Sequence, residues 1–571
     1  MERIKNDLKK ILPHELTAEN LATLLWVCMV TLFFSFCFKF NYISFEANDD
    51  IFISTIPSGI YGKNYIHTFS NILQGLFLAA LSKFIPICNW TIILYIVYVY
   101  VAYVGLGIWA IKTKGILGGV CLSSLFFLLT YHSLLNTMNY SKTGGVLICV
   151  GMAIFSFFAS ERYRNRNILL LIGGSMIVAG SLVRSSCIKA ALPFIIFLAI
   201  DTVLKCKDRS IKVMRRVLPW ILLMLSIEIA FLGDSIVYRV NGGWKNYQEF
   251  NSIRAKLDDR GMLDYETNQE VYQKIGYNDI DVKMLSTWHS ADDEVFSKEN
   301  LQEIIQNKVK KEYSFENIKQ SLKEMYNNVL KNNYLFYAVL TLTLTLVCGL
   351  ADPKKLLLLI PNFLLMVAEL VYLVFGGRYP ERATLLVFMY AFSVIIYAFP
   401  KKEELKKVKN GLIAAALLVM VAVGLYNMDI NEIIENDAKE YAYKQEYRQF
   451  LSEISEHQEN LYVWDIFAIE RILEGAYTPY EAFDQGVLSN SVYTGGWFVN
   501  TPIMANNAER FGEKNNPYKL LADSKNVYLV TLTGTDINDT LSYIRRHYNE
   551  NAQAKCVAEI NEVAIYHFAE E

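Results

Sequence analysis

The chain has 571 residues, 53% of them hydrophobic, with a mean hydropathy of +0.22 and a formal net charge of -2. Its apolar residues come in runs long enough to cross about 30 Å of hydrocarbon, separated by short basic patches, so the class is a multi-spanning membrane protein. A near-zero net charge leaves no global field for a nucleic-acid partner. The nine cysteines, mostly in or beside apolar runs, form neither a disulfide framework nor zinc-ligand spacing.

In chain order, Arg3, Lys5, Lys9 and Lys10 precede an apolar run from about Leu21 to Phe40. That run is too long for a signal-peptide core and reads as an uncleaved first span. Asn48-Asp49-Asp50 follows, heading the segment DDIFISTIPSGIYGKNYIHTFSN. The stretch Asn71 to Pro86 is apolar but short, carries Asn71, Gln74 and Lys83, and ends at a proline. It reads as an interfacial or re-entrant helix. Spans are expected at roughly 21–41, 90–111, 115–133, 143–160, 167–184, 188–204, 217–237, 333–350, 355–376, 383–399 and 411–427, about eleven in all. Between the seventh and eighth lies a polar, tyrosine-rich insert, helical from about Leu301 to Lys331. The tail carries apolar strands at Leu461 to Ile466, Asn526 to Leu532, Cys556 to Ile560 and Val563 to Phe568, with a helical pattern from Asp536 to Tyr548. That pattern predicts a small α/β domain.

The lysines and arginines set the expected orientation. Basic clusters occur at the amino terminus, at Lys112 and Lys114, at Arg162, Arg164 and Arg166, from Lys205 to Arg216, at Lys354 and Lys355, and from Lys401 to Lys409. With 71–86 left out of the spans, every cluster falls on the cytoplasmic side. The chain is then a cell-membrane, multi-pass protein with its N-terminus cytoplasmic and its C-terminus extracytoplasmic. The expected domains are a transmembrane part, 1–428, and an extracytoplasmic α/β domain, 429–571. The first part includes an extracytoplasmic loop with the acidic pair, 42–89, and an extracytoplasmic insert, 238–332. Cytoplasmic loops this short cannot build a nucleotide-sugar or ATP fold, and no phosphate-loop or dinucleotide fingerprint is present. An enzyme of this shape needs an activated substrate that reaches the outer face already attached to a lipid.

An acidic pair after the first span, a polar segment leading into a short interfacial helix, many spans and an outer α/β tail together resemble the GT-C class of membrane glycosyltransferases. Asn48-Asp49-Asp50, Ser58-Gly59, Phe69-Ser70-Asn71, Arg254, Ile275-Gly276, Trp288 and Gly377-Arg378-Tyr379-Pro380-Glu381-Arg382 are similar to features of a group of multi-spanning proteins from Gram-positive gut bacteria. The resemblance implies a polytopic α-helical membrane protein with a GT-C-like core. It also implies a polyprenyl-phosphate-linked sugar donor and an extracytoplasmic glycan or glycolipid acceptor.

The residues fit such chemistry. Sugar transfer from a phosphate carrier needs a base for the incoming hydroxyl, and a carboxylate at the dry rim of a membrane cavity has its pKa raised toward that task. Asp49 or Asp50 would serve. The leaving phosphate needs positive charge, for which Arg378 and Arg382, bracketing Glu381, are the first candidates. Arg184, Lys189 and Lys142 are secondary, and His67 could touch acceptor or phosphate. Each has a plainer role open to it. Asn48 or Asp49 caps a following helix; the arginines snorkel or pair with Glu381; Lys142, Arg184 and Lys189 anchor at the interface; His67 is structural; and Trp497 with Phe498 packs a core. No further acids group with the pair, so no metal site or cofactor is indicated and a divalent cation stays open. Membrane lipid is an expected partner and nucleic acid is not. Two alternatives remain. One is a lipid-linked glycan transporter or flippase, although the spans hold few charges, Glu228 and Glu369 being the clearest. The other is a non-catalytic membrane surface protein.

Overall fold

The computed structural model describes residues 17–46, 48–62, 64–161, 163, 165–205, 211–308, 312–401, 404, 418–422, 425, 428 and 443–569. The helices needed below are α1 (Ala18–Lys39), α2 (Asn48–Ser58), α3 (Ile72–Phe84), α4 (Trp90–Lys114), α5 (Ile116–Leu135), α6 (Tyr140–Ser160), α7 (Arg166–Val183), α8 (Ser185–Leu204), α9 (Ile211–Val240) and α10 (Gly242–Arg260). They continue with α11 (Leu335–Ala351), α12 (Leu356–Phe375), α13 (Glu381–Ala398), α14 (Ile466–Ala476) and α15 (Asn538–His547). Among the described residues nine helices are long and apolar enough to cross a membrane, so the protein is a polytopic helical membrane protein. A tenth arises if α11 is joined to Phe315–Lys331, from which it is bent by 96°. The expected span at 411–427 lies largely outside the described residues. Helix α3, at 13 residues, is too short to cross.

The chain divides into two compact units. The first comprises Met1–Ala47, Leu94–Ile229 and Ser314–Lys439, and its centre is α6, every residue of which is buried. Inside a bilayer apolar side chains gain little from leaving lipid for protein, so close backbone approach through small residues does more of the work. Gly144 and Gly151 on α6 face Gly180 and Gly173 on α7. A Cβ added at Gly180 would stand 2.4 Å from the Gly144 carbonyl oxygen, and one at Gly151 would stand 2.8 Å from that of Gly173. On the other side α13 lies against α6, where Ser393 Oγ donates to the Cys149 carbonyl at 2.8 Å. Helix α1 buries only the stripe Trp26, Val30, Phe34 and Cys37, a helical spacing. Trp26 lies over Gly107 of α4 and donates its indole N–H to the Tyr103 carbonyl at 3.0 Å.

The second unit comprises Asn48–Ile93, Ala230–Tyr313 and Glu440–Glu571. Two loops and a tail that are far apart in sequence therefore make one folded body. Its core is a five-stranded sheet ordered β2-β1-β3-β5-β4, with β1 (Leu461–Trp464), β2 (Ser491–Tyr493), β3 (Val527–Leu532), β4 (Gln553–Ile560) and β5 (Val563–Ala569). Strands β2, β1 and β3 are parallel, with α14 crossing from β1 to β2, while β5 runs antiparallel to both β3 and β4. Four strands and α15 fall where the apolar pattern predicts them; β2, only three residues long, carries too little pattern to be seen.

The segment after the acidic pair corrects the sequence reading. The polar segment expected between the acidic pair and the interfacial helix opens instead with a buried helix, α2, in which Ile51, Phe52, Ile53, Ser54, Thr55 and Ile56 are all buried. Its β-branched residues disfavour a helix locally, and tertiary burial overrides that preference. The next turn joins the tail through two backbone bonds of 2.9 Å, Gly486 N–H to the Gly59 carbonyl and Leu488 N–H to the Ile60 carbonyl. Gly59, at φ +86°, is a glycine because a side chain resists that conformation.

Candidate active site

The site in the first unit starts from a short extended pairing. Ser44 N–H donates to Leu135 O at 3.1 Å, Met138 N–H to Ser44 O at 2.8 Å, and Glu46 N–H to Met138 O at 2.9 Å. This fixes Glu46 beside the start of α6, where Asn139 caps the helix by accepting from Ser141 N–H at 2.8 Å. Lys142 lies in the first turn of α6 with none of its side chain exposed. Its ammonium donates to Thr137 Oγ1 at 2.9 Å and to the Thr137 carbonyl at 3.1 Å. It stands 3.5 Å from Glu46 Oε2 and 3.8 Å from Glu381 Oε1.

Glu381 comes from the other side, as the first residue of α13. Pro380 precedes it with fixed φ, and an acid in the first turn suits the positive end of the helix dipole. Ser133 Oγ donates to its carboxylate at 3.3 Å, and the Tyr334 hydroxyl to its carbonyl at 3.3 Å. Burial pushes the Glu46 carboxyl above its usual range; Lys142 and then Arg382 pull it back, and Glu381 pushes it up again. The result is a carboxylate that holds a proton more readily than usual, facing two cations, with half-exposed Glu381 at the rim.

Three of the expected residues, Lys142, Glu381 and Arg382, thus belong to one cluster, joined by Glu46, which sequence reading passed over. The signal that could have found Glu46 is its place in Phe45-Glu46-Ala47-Asn48-Asp49-Asp50, where it is a third acid. Arg378 is exposed in the turn ahead of α13. Arg184 is the extended residue just before α8, with its guanidinium 4.6 Å from the Tyr140 ring centroid and its Nε donating to Ser186 Oγ at 2.9 Å. Lys189 is exposed on α8.

Asp49, Asp50 and His67 belong to the second unit. The two aspartates sit in the first turn of α2, Asp49 half-buried and Asp50 fully buried. His67 is buried, and neither ring nitrogen makes a well-formed hydrogen bond. Burial pushes its pKa down to about 4, against smaller opposing pulls from the backbone at Thr68 and Ile53, so the imidazole is neutral at physiological pH. Gly75 of α3 lies directly on this loop, since a Cβ there would stand 2.4 Å from the Tyr65 carbonyl oxygen.

The remaining motif residues hold structure. Asn71 caps α3 by accepting from Leu73 N–H at 3.0 Å and donates to the Ala230 carbonyl at 3.0 Å. Arg254 pairs with Asp258 within α10. The Gly276 carbonyl accepts from Arg546 Nη2 at 2.9 Å. Trp497 and Phe498 are buried, with the Trp497 ring 4.8 Å from that of Phe69. Among the described residues no three His, Cys, Asp or Glu side chains are grouped to hold a metal ion.

No known protein family and no curated protein sequence matches the chain. A functional reading therefore rests on the chemistry of the cluster itself.

Proposed function

We propose that the protein is a GT-C-like membrane glycosyltransferase that moves a sugar from a polyprenyl-phosphate donor to an extracytoplasmic glycan or glycolipid by inverting displacement. In this mechanism a carboxylate takes the proton of the acceptor hydroxyl as its oxygen attacks the anomeric carbon. The bond from that carbon to the carrier phosphate breaks on the opposite side, and the lipid phosphate leaves with the bonding pair. Cations held where that charge develops lower the barrier.

The observation that carries the reading is Glu46, raised in pKa by burial and faced by Lys142 and Arg382. Glu46 acts as the base in this scheme, with Lys142 and Arg382 on the phosphate. Asp49 and Asp50 are rival bases. Substituting Glu46→Gln, Asp49→Asn and Asp50→Asn one at a time, and following transfer of labelled sugar from a polyprenyl-phosphate donor in membranes, separates them. Loss of the base is expected to cost at least about 100-fold in rate. Full activity in all three variants overturns the proposal. A lipid-linked glycan transporter is the second reading, favoured by Glu369, a half-buried carboxylate within α12. Transport that persists in E46Q and stops in E369Q would select it.

A further inference from the structure

At the opposite end of α6 from Lys142, the first unit contains a cavity of about 570 Å³. Eighteen helical residues separate Lys142 from Ser160 on the cavity wall, a distance of about 27 Å at the α-helical rise. That is close to the hydrocarbon thickness, so the cavity sits at the other membrane face from the Glu46 cluster.

Its polar wall carries five lysines, Lys114, Lys205, Lys354, Lys355 and Lys401, against four carboxylates. Three of the lysines are committed to carboxylates. Lys205 lies 2.8 Å from Asp201, Lys401 lies 2.7 Å from Glu161, and Lys355 pairs with Glu404. Lys114 is buried and donates to the carbonyls of Tyr397 and Phe399 at 2.9 and 2.7 Å, leaving no acid as its direct partner. Lys354 is exposed at the mouth, and its ammonium has no carboxylate partner among the described residues. Asp352 is the fourth carboxylate, so by formal count the lysines exceed the acids by one, with exposed Lys354 the cation at the mouth.

The other wall is apolar and open sideways. Ile200 and Leu204 of α8 and Leu357 of α12 line the cavity and are 50%, 77% and 81% exposed, on helices that cross the membrane. A lysine-lined chamber at interface depth, with one side opening onto hydrocarbon-facing leucines, fits an amphiphile with an anionic head. Free phosphate would use the lysines and leave the apolar side without purpose. We propose that this cavity binds the phosphate headgroup of an anionic phospholipid, with the acyl chains lying along α8 and α12. The proposal is independent of the transferase reading, since it concerns the other end of the helices.

Purified full-length protein in detergent, titrated with dioleoyl-phosphatidylglycerol, dioleoyl-phosphatidylcholine and inorganic phosphate and followed by native mass spectrometry, tests it. Saturable binding of phosphatidylglycerol is expected, about ten-fold tighter than phosphatidylcholine and resistant to millimolar phosphate. Lys354→Gln and Lys205→Gln should each weaken it about five-fold, the worth of one basic group near an anionic headgroup. Lys354→Arg should restore it, and Lys39→Gln, remote from the cavity on α1, should leave it unchanged. Equal affinity for the two lipids, or unaltered binding in both cavity variants, overturns the proposal. Displacement by millimolar phosphate overturns the lipid as the ligand and leaves a free-anion site.

Discussion

The Lys142 ammonium stands 3.5 Å from the Glu46 carboxylate, and none of the lysine side chain reaches solvent. A buried cation beside a partly buried acid is a coupled pair, in which removing one member exposes the cost of the other. Lys142 is also the largest influence holding the Glu46 pKa down against burial.

Lys142→Met should therefore raise the Glu46 pKa further. If Glu46 is the base, the acid limb of the rate profile, which lies above the ordinary glutamate value of 4.5, moves to higher pH in the variant. Lys142→Arg, which keeps the charge, should shift it far less. The Met variant should also lose about 3 kcal/mol of stability, the usual cost of breaking a buried pair. A rate profile of unaltered position in K142M, with the protein folded, separates Glu46 from the chemistry.

His67 makes the second unit sensitive to acid. Its folded pKa of about 4 lies below the ordinary imidazole value of 6.5, so the unfolded chain binds the proton first. Stability is fully present above pH 6.5 and falls as pH drops toward 4, by up to about 3 kcal/mol. Chemical unfolding followed by fluorescence between pH 7.5 and 4 measures this. His67→Leu should flatten the dependence over that window, and an identical slope in both proteins would show that other groups are responsible.

The glycine contact between α6 and α7 leaves no room for a methyl group. Gly180→Ala places a carbon 2.4 Å from a backbone oxygen that cannot rotate away, so a loss of about 1–3 kcal/mol is expected. Gly105→Ala is the matched control. It lies within α4, meets nothing within 4 Å, and should be neutral or stabilising by up to about 1 kcal/mol. Thermal unfolding of both variants in detergent gives the comparison, and equal melting temperatures would refute the close contact.

Asp292 fastens the insert to the tail. Fully buried, it accepts from the hydroxyls of Tyr543 at 2.8 Å and Tyr548, from Asn516 Nδ2 at 3.1 Å, and from the backbone N–H groups of Glu294 and Val295 at 3.1 Å each. Asp292→Ala leaves these donors without an acceptor, at about 2–3 kcal/mol. Limited proteolysis should then cut faster between 287 and 308. Unchanged resistance would mean that other contacts hold the insert in place.

Much of the architecture is legible in the sequence because two signals are strong. Apolar length gives the spans, and short apolar runs in the tail give four of the five strands. Helix α2 is hidden because Ile51, Ile53, Thr55 and Ile56 favour strand locally, and only burial on every side explains the helix. The cluster is half legible. Lys142, Glu381 and Arg382 stand out as charges near span ends, but Glu46 is a single acid before a more conspicuous pair, and its meaning comes from partners far along the chain. The cavity at the far end of α6 has no sequence motif, since its lysines come from four separate basic patches that otherwise read only as orientation signals.

The bonds from Gly59 and Ile60 to Gly486 and Leu488 set an order of events during synthesis. The ribosome has made almost the whole polypeptide before the early loop meets the residues that complete it. Until then the backbone groups of Gly59 and Ile60 lack the tail partners they have in the folded protein. A transcript cut short anywhere before the tail would yield a product whose helices insert but whose early loop never closes, a natural substrate for membrane proteases.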